Sequence, residues 1–95
     1  MKLTVAGEIW YWRGPAPYYF VAVPEAEAGM IATTASSVTY GWGMIPVSVK
    51  LGATTWTTSL WPKNGGYIVP LKDTVRRAEE VDVDDTVSLE LTIDV

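Results

Sequence analysis

Residues 45–71 have the sequence IPVSVKLGATTWTTSLWPKNGGYIVPL, in which three candidate strands follow one another. Apolar and polar residues alternate over 45–51, which is typical of a strand with one buried face. Threonine and tryptophan crowd residues 54–61, and both residue types favour strand over helix. Residues 67–71 form the third candidate. Turn signals separate the three strands, at Gly52-Ala53 and over residues 62–66.

The segments before this stretch predict two more strands and a helix. Residues 2–12 alternate between apolar and polar types, which predicts a half-buried strand, and residues 13–17 predict a turn. The nearly continuous apolar run 18–23 predicts a strand covered on both faces. Pro24 suits the first turn of a short helix, and we expect a loop over 33–43. The apolar side expected for that helix consists of Ala26, Met30 and Ile31.

The segments after this stretch predict a second helix and a final strand. We expect the helix from about Lys72 to Glu80, with an ion pair between Asp73 and Arg77, four residues apart. Its apolar side would be formed by Leu71, Val75 and Ala78. The final strand has the clearest alternation in the chain, with an inward face of Val87, Leu89, Leu91, Ile93 and Val95.

The order of these elements is strand, strand, helix, strand, and then the same order again. The segments at the element boundaries are similar too: Tyr19–Pro24 parallels Tyr67–Pro70, and Trp12-Arg13 parallels Trp61–Lys63. We therefore predict a single domain over residues 1–95, mainly β with two short helices. Two ββαβ halves, about 2–51 and 53–95, would close one six-stranded barrel and remove the unpaired strand edges.

The composition excludes several kinds of chemistry. The chain has 95 residues, with no cysteine and no histidine. Disulfides, thiolate nucleophiles, the usual zinc sites and Ser-His catalysis all require one of these two residue types. The serine and threonine hydroxyls therefore have no base to activate them. We expect neither a cofactor nor a metal ion, and no catalytic residue can be named.

The charges and the amino-terminal segment bear on partners and location. Seven basic and eleven acidic residues give a net charge of −4, and the basic residues are scattered, which disfavours nucleic acid as a partner. Arg76-Arg77 is interpreted as a solvated helix face. The amino-terminal segment lacks the apolar stretch of a signal peptide, and no segment is long and apolar enough to span a membrane. We expect a cytoplasmic protein, either a monomer or a weak homodimer.

Several segments, in their order along the chain, resemble a small bacterial family classed as a domain of unknown function and often linked with YdeI/OmpD-associated proteins. The resemblance implies a double-split β-barrel, related to the swapped-hairpin barrels of AbrB- and MazE-like regulators, in which two chains build one barrel. It supplies no catalytic residues. Such domains tend to have a Gly-Asp turn where this chain has Asp84-Asp85. The segments that carry the resemblance are Gly7–Trp10, Trp12, Tyr19–Pro24, Ile45–Val49, Thr55–Pro62, Gly65–Lys72 and Val75–Ala78.

The five tryptophans divide into a core residue and a candidate site. Trp56 lies in the middle of a predicted strand, where core packing is expected. Trp12 and Trp61 lie at strand ends beside turns, which the barrel could bring together. Such a cluster could stack a planar or sugar-like ligand or hold an extended peptide, or it could simply plug the ends of the barrel. The candidate ligand-binding residues are Trp12, Arg13, Tyr40, Trp42, Trp61, Lys63 and Asn64.

Three functions are consistent with these features. The leading hypothesis is a non-enzymatic binding barrel that takes a small ligand, a peptide or a protein on its aromatic surface. The alternative is a nucleic-acid-binding regulator, by analogy with the swapped-hairpin barrels. An enzyme of unknown reaction ranks third.

Overall fold

The computed structural model describes residues 1–13, 18–35 and 43–94, and within them it confirms the predicted order of elements. Six strands and two helices alternate as strand, strand, helix, strand, twice over. The elements are β1 (Lys2–Trp12), β2 (Tyr18–Ala22), α1 (Glu25–Ala35), β3 (Ile45–Leu51), β4 (Thr54–Lys63), β5 (Gly66–Leu71), α2 (Asp73–Glu79) and β6 (Thr86–Thr92).

The strands close into an antiparallel barrel in the order β1-β2-β5-β4-β3-β6, as the prediction of a six-stranded barrel required. The two longest strands each pair with different neighbours along their length. Residues 2–8 of β1 pair with β6, and residues 9–12 pair with β2. In the same way, residues 54–60 of β4 pair with β3, and residues 61–63 pair with β5. The ends of β1 and β4 therefore meet the β2–β5 pair.

Aliphatic side chains and one tryptophan fill the interior. Alternate residues of each strand point inward, so that the completely buried Ile9, Val49 and Leu89 come from three different strands. Trp56 is 7% exposed and belongs to this cluster, which confirms its expected core position. Its indole N–H donates to the carbonyl oxygen of Pro70 at 3.4 Å. The inward face predicted for β6 is also confirmed for Val87, Leu89, Leu91 and Ile93, while Val95 lies outside the described residues.

Strand β2 is covered on both faces only at its centre, whereas the nearly continuous apolar run predicted cover along the whole strand; Tyr18 and Ala22 on its outer face are exposed. Val21 faces the interior and Phe20 faces the outside of the barrel, yet both are completely buried. Something other than the barrel core must therefore cover Phe20.

Helix α1 differs from the prediction in length and in its buried side. It continues to Ala35, so the start of the loop expected over 33–43 is helical. The hydroxyl groups of Thr33 and Thr34 donate to carbonyl oxygens one turn earlier, at Gly29 and Ile31. The buried side chains are Ala28 and Ile31; Ala26 and Met30, which were expected to pack with Ile31, are exposed.

Helix α2 has a different ion pair from the one predicted. Asp73 pairs with Arg76 at 3.2 Å, whereas the Nε of Arg77 donates to the backbone carbonyl oxygen of Asp73. Val75 is buried as expected, but Ala78 is exposed because its side of this short helix faces solvent.

Left-handed backbone conformations occur in several turns, among them the turn between β4 and β5 and the turn before β6. Strand β4 continues through Lys63, beyond the predicted start of the turn, which leaves only Asn64 and Gly65 between β4 and β5. Their φ angles of 51° and 80° are those of the type I′ turn that Asn-Gly favours in hairpins. Before β6, Asp84 has a φ of 75°, in the left-handed region that glycine adopts most easily.

Candidate functional site

Five aromatic side chains share the outer surface of β1, β2 and β4. Trp10 pairs with Phe20, and Trp12 pairs with Tyr18, so these four lie on one face of the sheet. Because Ile9 and Val21 point into the barrel, their neighbours in sequence point out. We call this surface the aromatic face; it consists of Trp10, Trp12, Tyr18, Phe20 and Trp61.

Phe20 is the centre of the aromatic face. Its ring centroid lies 5.1 Å from that of Trp10 and 5.0 Å from that of Trp61, within the range of favourable aromatic contacts. Trp12 and Tyr18 lie farther away, at 6.4 and 5.9 Å. Tyr18 also meets Trp61 edge to face at 5.5 Å. Phe20 is completely buried under this layer, whereas Trp12 and Tyr18 remain 42% and 40% exposed.

The aromatic face is separate from the barrel core. Among the described residues, the interior cluster contains Trp56 but none of the five aromatic side chains of the face, nor Ile68 beside them. These rings therefore form a second apolar layer on the outside of the barrel.

A small cavity opens between the tryptophans. It has a volume of about 140 Å³ and lies between Trp10, Trp12 and Trp61, with Phe20 in its floor. Lys63 lines it too, with its ammonium nitrogen 5.8 Å from the centroid of the Trp10 ring, within the range of a cation–π contact. The cavity thus combines aromatic ring surface with one cationic donor.

A larger groove adjoins this cavity, between α1 and the β4–β5 hairpin. We call it the α1 groove; its volume is about 750 Å³. Trp10, Lys63 and Ile68 line both the groove and the small cavity, so the two spaces are adjacent. The helix wall carries Glu25 and the small residues Ala28, Gly29 and Ala32, and the hairpin wall carries Lys63, Asn64, Gly65 and Gly66.

A second groove lies at the other end of the aromatic face, beside the start of α2. This α2 groove is about half the volume of the first, about 380 Å³, and Tyr18 and Trp61 line it together with Lys72 and Asp73. Next to it, the guanidinium carbon of Arg76 lies 3.9 Å from the centroid of the Tyr19 ring.

Arg76 is held in place by two carboxylates, Asp73 and Asp82, each at 3.2 Å. Its side chain is only 17% exposed, so the expectation of a solvated Arg76-Arg77 face is wrong for Arg76. Stacking on Tyr19 buries the guanidinium group, whereas Arg77 is exposed as expected.

The chain matches the family described as Domain of unknown function (DUF1905) over residues 6–91, which is nearly the whole barrel. It belongs to the DUF1905 family. None of the curated proteins matches the chain. The membership confirms the resemblance as far as a domain of unknown function, and the functional argument for this DUF1905 chain therefore rests on the geometry of its own residues.

The barrel of this DUF1905 protein brings together part of the predicted site. Trp12, Trp61 and Lys63 line one cavity, and Arg13 is exposed directly after Trp12. Asn64 occupies the hairpin turn and lines the α1 groove instead. Tyr40 and Trp42 lie outside the described residues.

Sequence reasoning missed two features of the site. Phe20 was expected to be buried, but not to anchor the aromatic face. Two features of the sequence could have indicated this role. Phe20 lies in a run predicted to be covered on both faces, and Trp10 and Trp12 lie on the outward side of the neighbouring strand. The α1 groove was missed entirely, because α1 and the β4–β5 hairpin are distant in sequence.

Two further findings concern the described part of the chain. No three acidic side chains within it lie close enough together to hold a metal ion. Neither of its helices has the length and apolar character needed to cross a membrane.

Proposed function

We propose that this protein is a non-enzymatic binding domain whose ligand contacts the aromatic face. The observation that carries the proposal is the exposure of Trp12 and Tyr18, at 42% and 40%, above the completely buried Phe20. Contiguous apolar surface that stays exposed on a folded domain often marks a binding site.

Not all the rings of the aromatic face are needed to cover Phe20. Trp10 and Trp61 already pack against it at 5.1 and 5.0 Å. Trp12 and Tyr18 lie farther from it and turn much of their surface to solvent, so their rings are free to contact another molecule. Tryptophan and tyrosine provide large, rigid contact areas at a low cost in conformational entropy.

The polar groups beside the rings suggest the kind of ligand. Lys63 supplies a cationic donor at the edge of the face, Arg13 is exposed directly after Trp12 in the chain, and ring surface fills the middle of the face. A planar or sugar-like molecule could stack on the rings while its polar groups reach these donors, and an extended peptide could do the same. Without cysteine or histidine, the chain has few residues for nucleophilic catalysis, and we place an enzymatic role last.

Nucleic acid remains the second candidate, because the charges favour it less. Lys2 pairs with Glu90, and Arg76 pairs with Asp73 and Asp82, so these bases are partly neutralised. Wrapping a polyanion requires many phosphate contacts, and the net charge of −4 opposes its approach.

We further propose that the barrel is of the double-split type and that the protein belongs with the YdeI/OmpD-associated proteins in the bacterial cytoplasm. The change of partners along β1 and β4 supports the first point, because it divides the barrel into two paired layers.

The test is a ligand screen followed by NMR of the indole N–H groups, each assigned by a Trp→Phe variant. A ligand of the aromatic face should shift the signals of Trp10, Trp12 and Trp61, while the buried Trp56 serves as an internal reference. Trp12→Ala should weaken binding at least tenfold. Tyr11→Ala, which removes a neighbouring ring of 38% exposure from the opposite side of β1, should change it less than twofold.

Two outcomes would contradict the proposal. One is a broad set of metabolites and peptides that leaves all three outer indole signals unchanged. The other is binding that Trp12→Ala and Tyr11→Ala weaken equally. Binding to duplex DNA that falls steeply with salt would instead support the second candidate.

A further inference from the structure

The strand register is unchanged when the two halves of the barrel exchange places. The pair Trp10–Phe20 in the first hairpin corresponds to Trp61–Ile68 in the second. Between the hairpins, Phe20 pairs with Pro70 just as Ile68 pairs with Ala22, and Val21 pairs with its own counterpart, Val69. This pseudo-twofold arrangement supports the predicted repeat. It aligns Trp61 with Trp10, however, and not with Trp12.

The pseudo-twofold axis relates the two grooves. The α1 groove is lined by Trp10, Ala22, Glu25 and Gly66, and the α2 groove by their counterparts. Those counterparts, in the same order, are Trp61, Pro70, Asp73 and Tyr18. The barrel therefore carries two versions of one groove, each between a hairpin and the start of a helix.

The two versions differ in volume, about 750 Å³ beside α1 and about 380 Å³ beside α2. Where the α2 groove has the ring of Tyr18, the α1 groove has Gly66. Where α2 places Arg76 over a tyrosine ring, α1 places Ala28 at the corresponding position. The ring of Tyr18 thus restricts the α2 groove, and the α1 groove, with glycine at the corresponding position, has about twice the volume.

We propose that the α1 groove binds a planar ring that carries one anionic group, such as a carboxylate. The ring stacks on Trp10, and the anionic group pairs with the ammonium group of Lys63. This inference rests on the proposed function, since the groove shares Trp10, Lys63 and Ile68 with the small cavity of the aromatic face.

The dimensions and the charges of the groove support this class of ligand. About 750 Å³ is within the usual range for small-molecule sites, and a side chain added at Gly29 would meet no atom within 4 Å. Lys63 already lies 5.8 Å from the centroid of the Trp10 ring, so one ligand can reach both groups. The carboxylate of Glu25 on the opposite wall disfavours a second anionic group.

Three naphthalene probes of nearly the same shape test the charge preference: 2-naphthoate, 2-naphthamide and 2-naphthylmethylammonium. We expect 2-naphthoate to bind at least fivefold more tightly than the amide, and the cation to bind most weakly. Lys63→Gln should remove the difference between 2-naphthoate and the amide. Lys72→Gln, at the edge of the α2 groove, should preserve it.

A groove-filling variant tests the location. Gly29→Leu adds a side chain to open space on a helix, where leucine is also the better helix former, and should weaken 2-naphthoate binding at least tenfold. Ala26→Leu on the exposed side of the same helix is the control and should have less than a twofold effect. Urea unfolding confirms that each variant is folded.

The results separate this inference from the proposed function. Equal binding of 2-naphthoate and 2-naphthamide, or full 2-naphthoate binding in Gly29→Leu, would overturn the inference. If Trp12→Ala still weakened ligand binding in that case, the proposed function would stand although the inference about the α1 groove had failed. If no probe and no member of the wider screen shifted the outer indole signals, both would fail.

Discussion

The two halves of the barrel share one backbone plan and differ in how they use it. In the second half, Tyr18 narrows the groove beside α2, and Arg76 stacks on Tyr19 next to it. In the first half, Gly66 and Ala28 leave more space in the corresponding groove beside Trp10 and Lys63. The comparison shows that closure of the barrel creates two equivalent spaces, and that a few side chains decide how large each of them is.

The two halves are also expected to differ in how their side chains contribute to stability. Burial of Arg76 against an aromatic ring stabilises the second half through packing and a cation–π contact. An open groove forgoes such contacts, because the atoms that line it have no partners on one side. The first half is therefore expected to gain stability when a larger side chain fills its groove. The second half is expected to lose stability when the arginine stacked beside its groove is removed.

The largest effect is expected at the centre of the aromatic face. Phe20→Ala should lower the free energy of unfolding by about 3–5 kcal/mol, because a completely buried ring leaves a cavity under three tryptophans. The smaller change Ile68→Val at the corresponding position should cost about 0.5–1.5 kcal/mol. Urea unfolding measures both. A cost below 1 kcal/mol for Phe20→Ala would show that the outer layer is not a true second core.

A smaller loss of stability is expected when the Arg76 side chain beside the α2 groove is truncated. Arg76→Ala should cost about 1–2 kcal/mol through loss of the contact with Tyr19. Arg76→Met keeps the apolar stem and should recover part of that loss. The exposed neighbour provides the control: Arg77→Ala should stay within about 0.5 kcal/mol of the parent. Equal effects at the two arginines would mean that the stacking contributes nothing.

Filling the α1 groove should act in the opposite direction. Gly66→Tyr copies Tyr18 into the first half, and its Cβ would meet only ordinary contacts, at 3.7 Å from the Lys63 carbonyl oxygen and 3.9 Å from Ala28. We expect a gain of about 0.5–1 kcal/mol, because glycine weakens a strand interior, together with loss of 2-naphthoate binding. Unfolding and titration of the same sample check both. Unchanged binding would contradict the role of Gly66 in keeping the groove open.

The smallest effect on stability is expected at the turn before β6, which corresponds to the turn before β3 in the first half. Gly43 has a φ of 80° before β3, and Asp84 has a φ of 75° before β6. Glycine takes this conformation with the least strain, and aspartate takes it more easily than alanine, so Asp84→Gly should stabilise the protein by about 0.5 kcal/mol, and Asp84→Ala should destabilise it by about 1 kcal/mol. Thermal unfolding of the three proteins shows the order. Equal stability of the glycine and alanine variants would exclude backbone strain at this turn.

Local patterns were sufficient for most of the fold. Alternation identified the inward faces of β3 and β6, and the nearly continuous apolar run of β2 identified the burial of Phe20 and Val21 on its two faces, although Tyr18 and Ala22 are exposed. Turn chemistry located the β4–β5 hairpin. The errors were at the helices, where Met30 and Ala78 were expected to pack but are exposed. A helix of two or three turns has several sides of similar apolar character, and only its contact with the sheet selects one.

The sequence by itself determined the order of the elements, the composition of the core and the types of chemistry that the chain lacks. These properties depend on neighbours along the chain, whose spacing sets which side chains share a face. Only the tertiary structure decided which groove is the larger, because Trp10, Ala28, Lys63 and Gly66 come from four different elements. Barrel closure brings these residues together, and no local pattern records which large side chains are missing from the space between them.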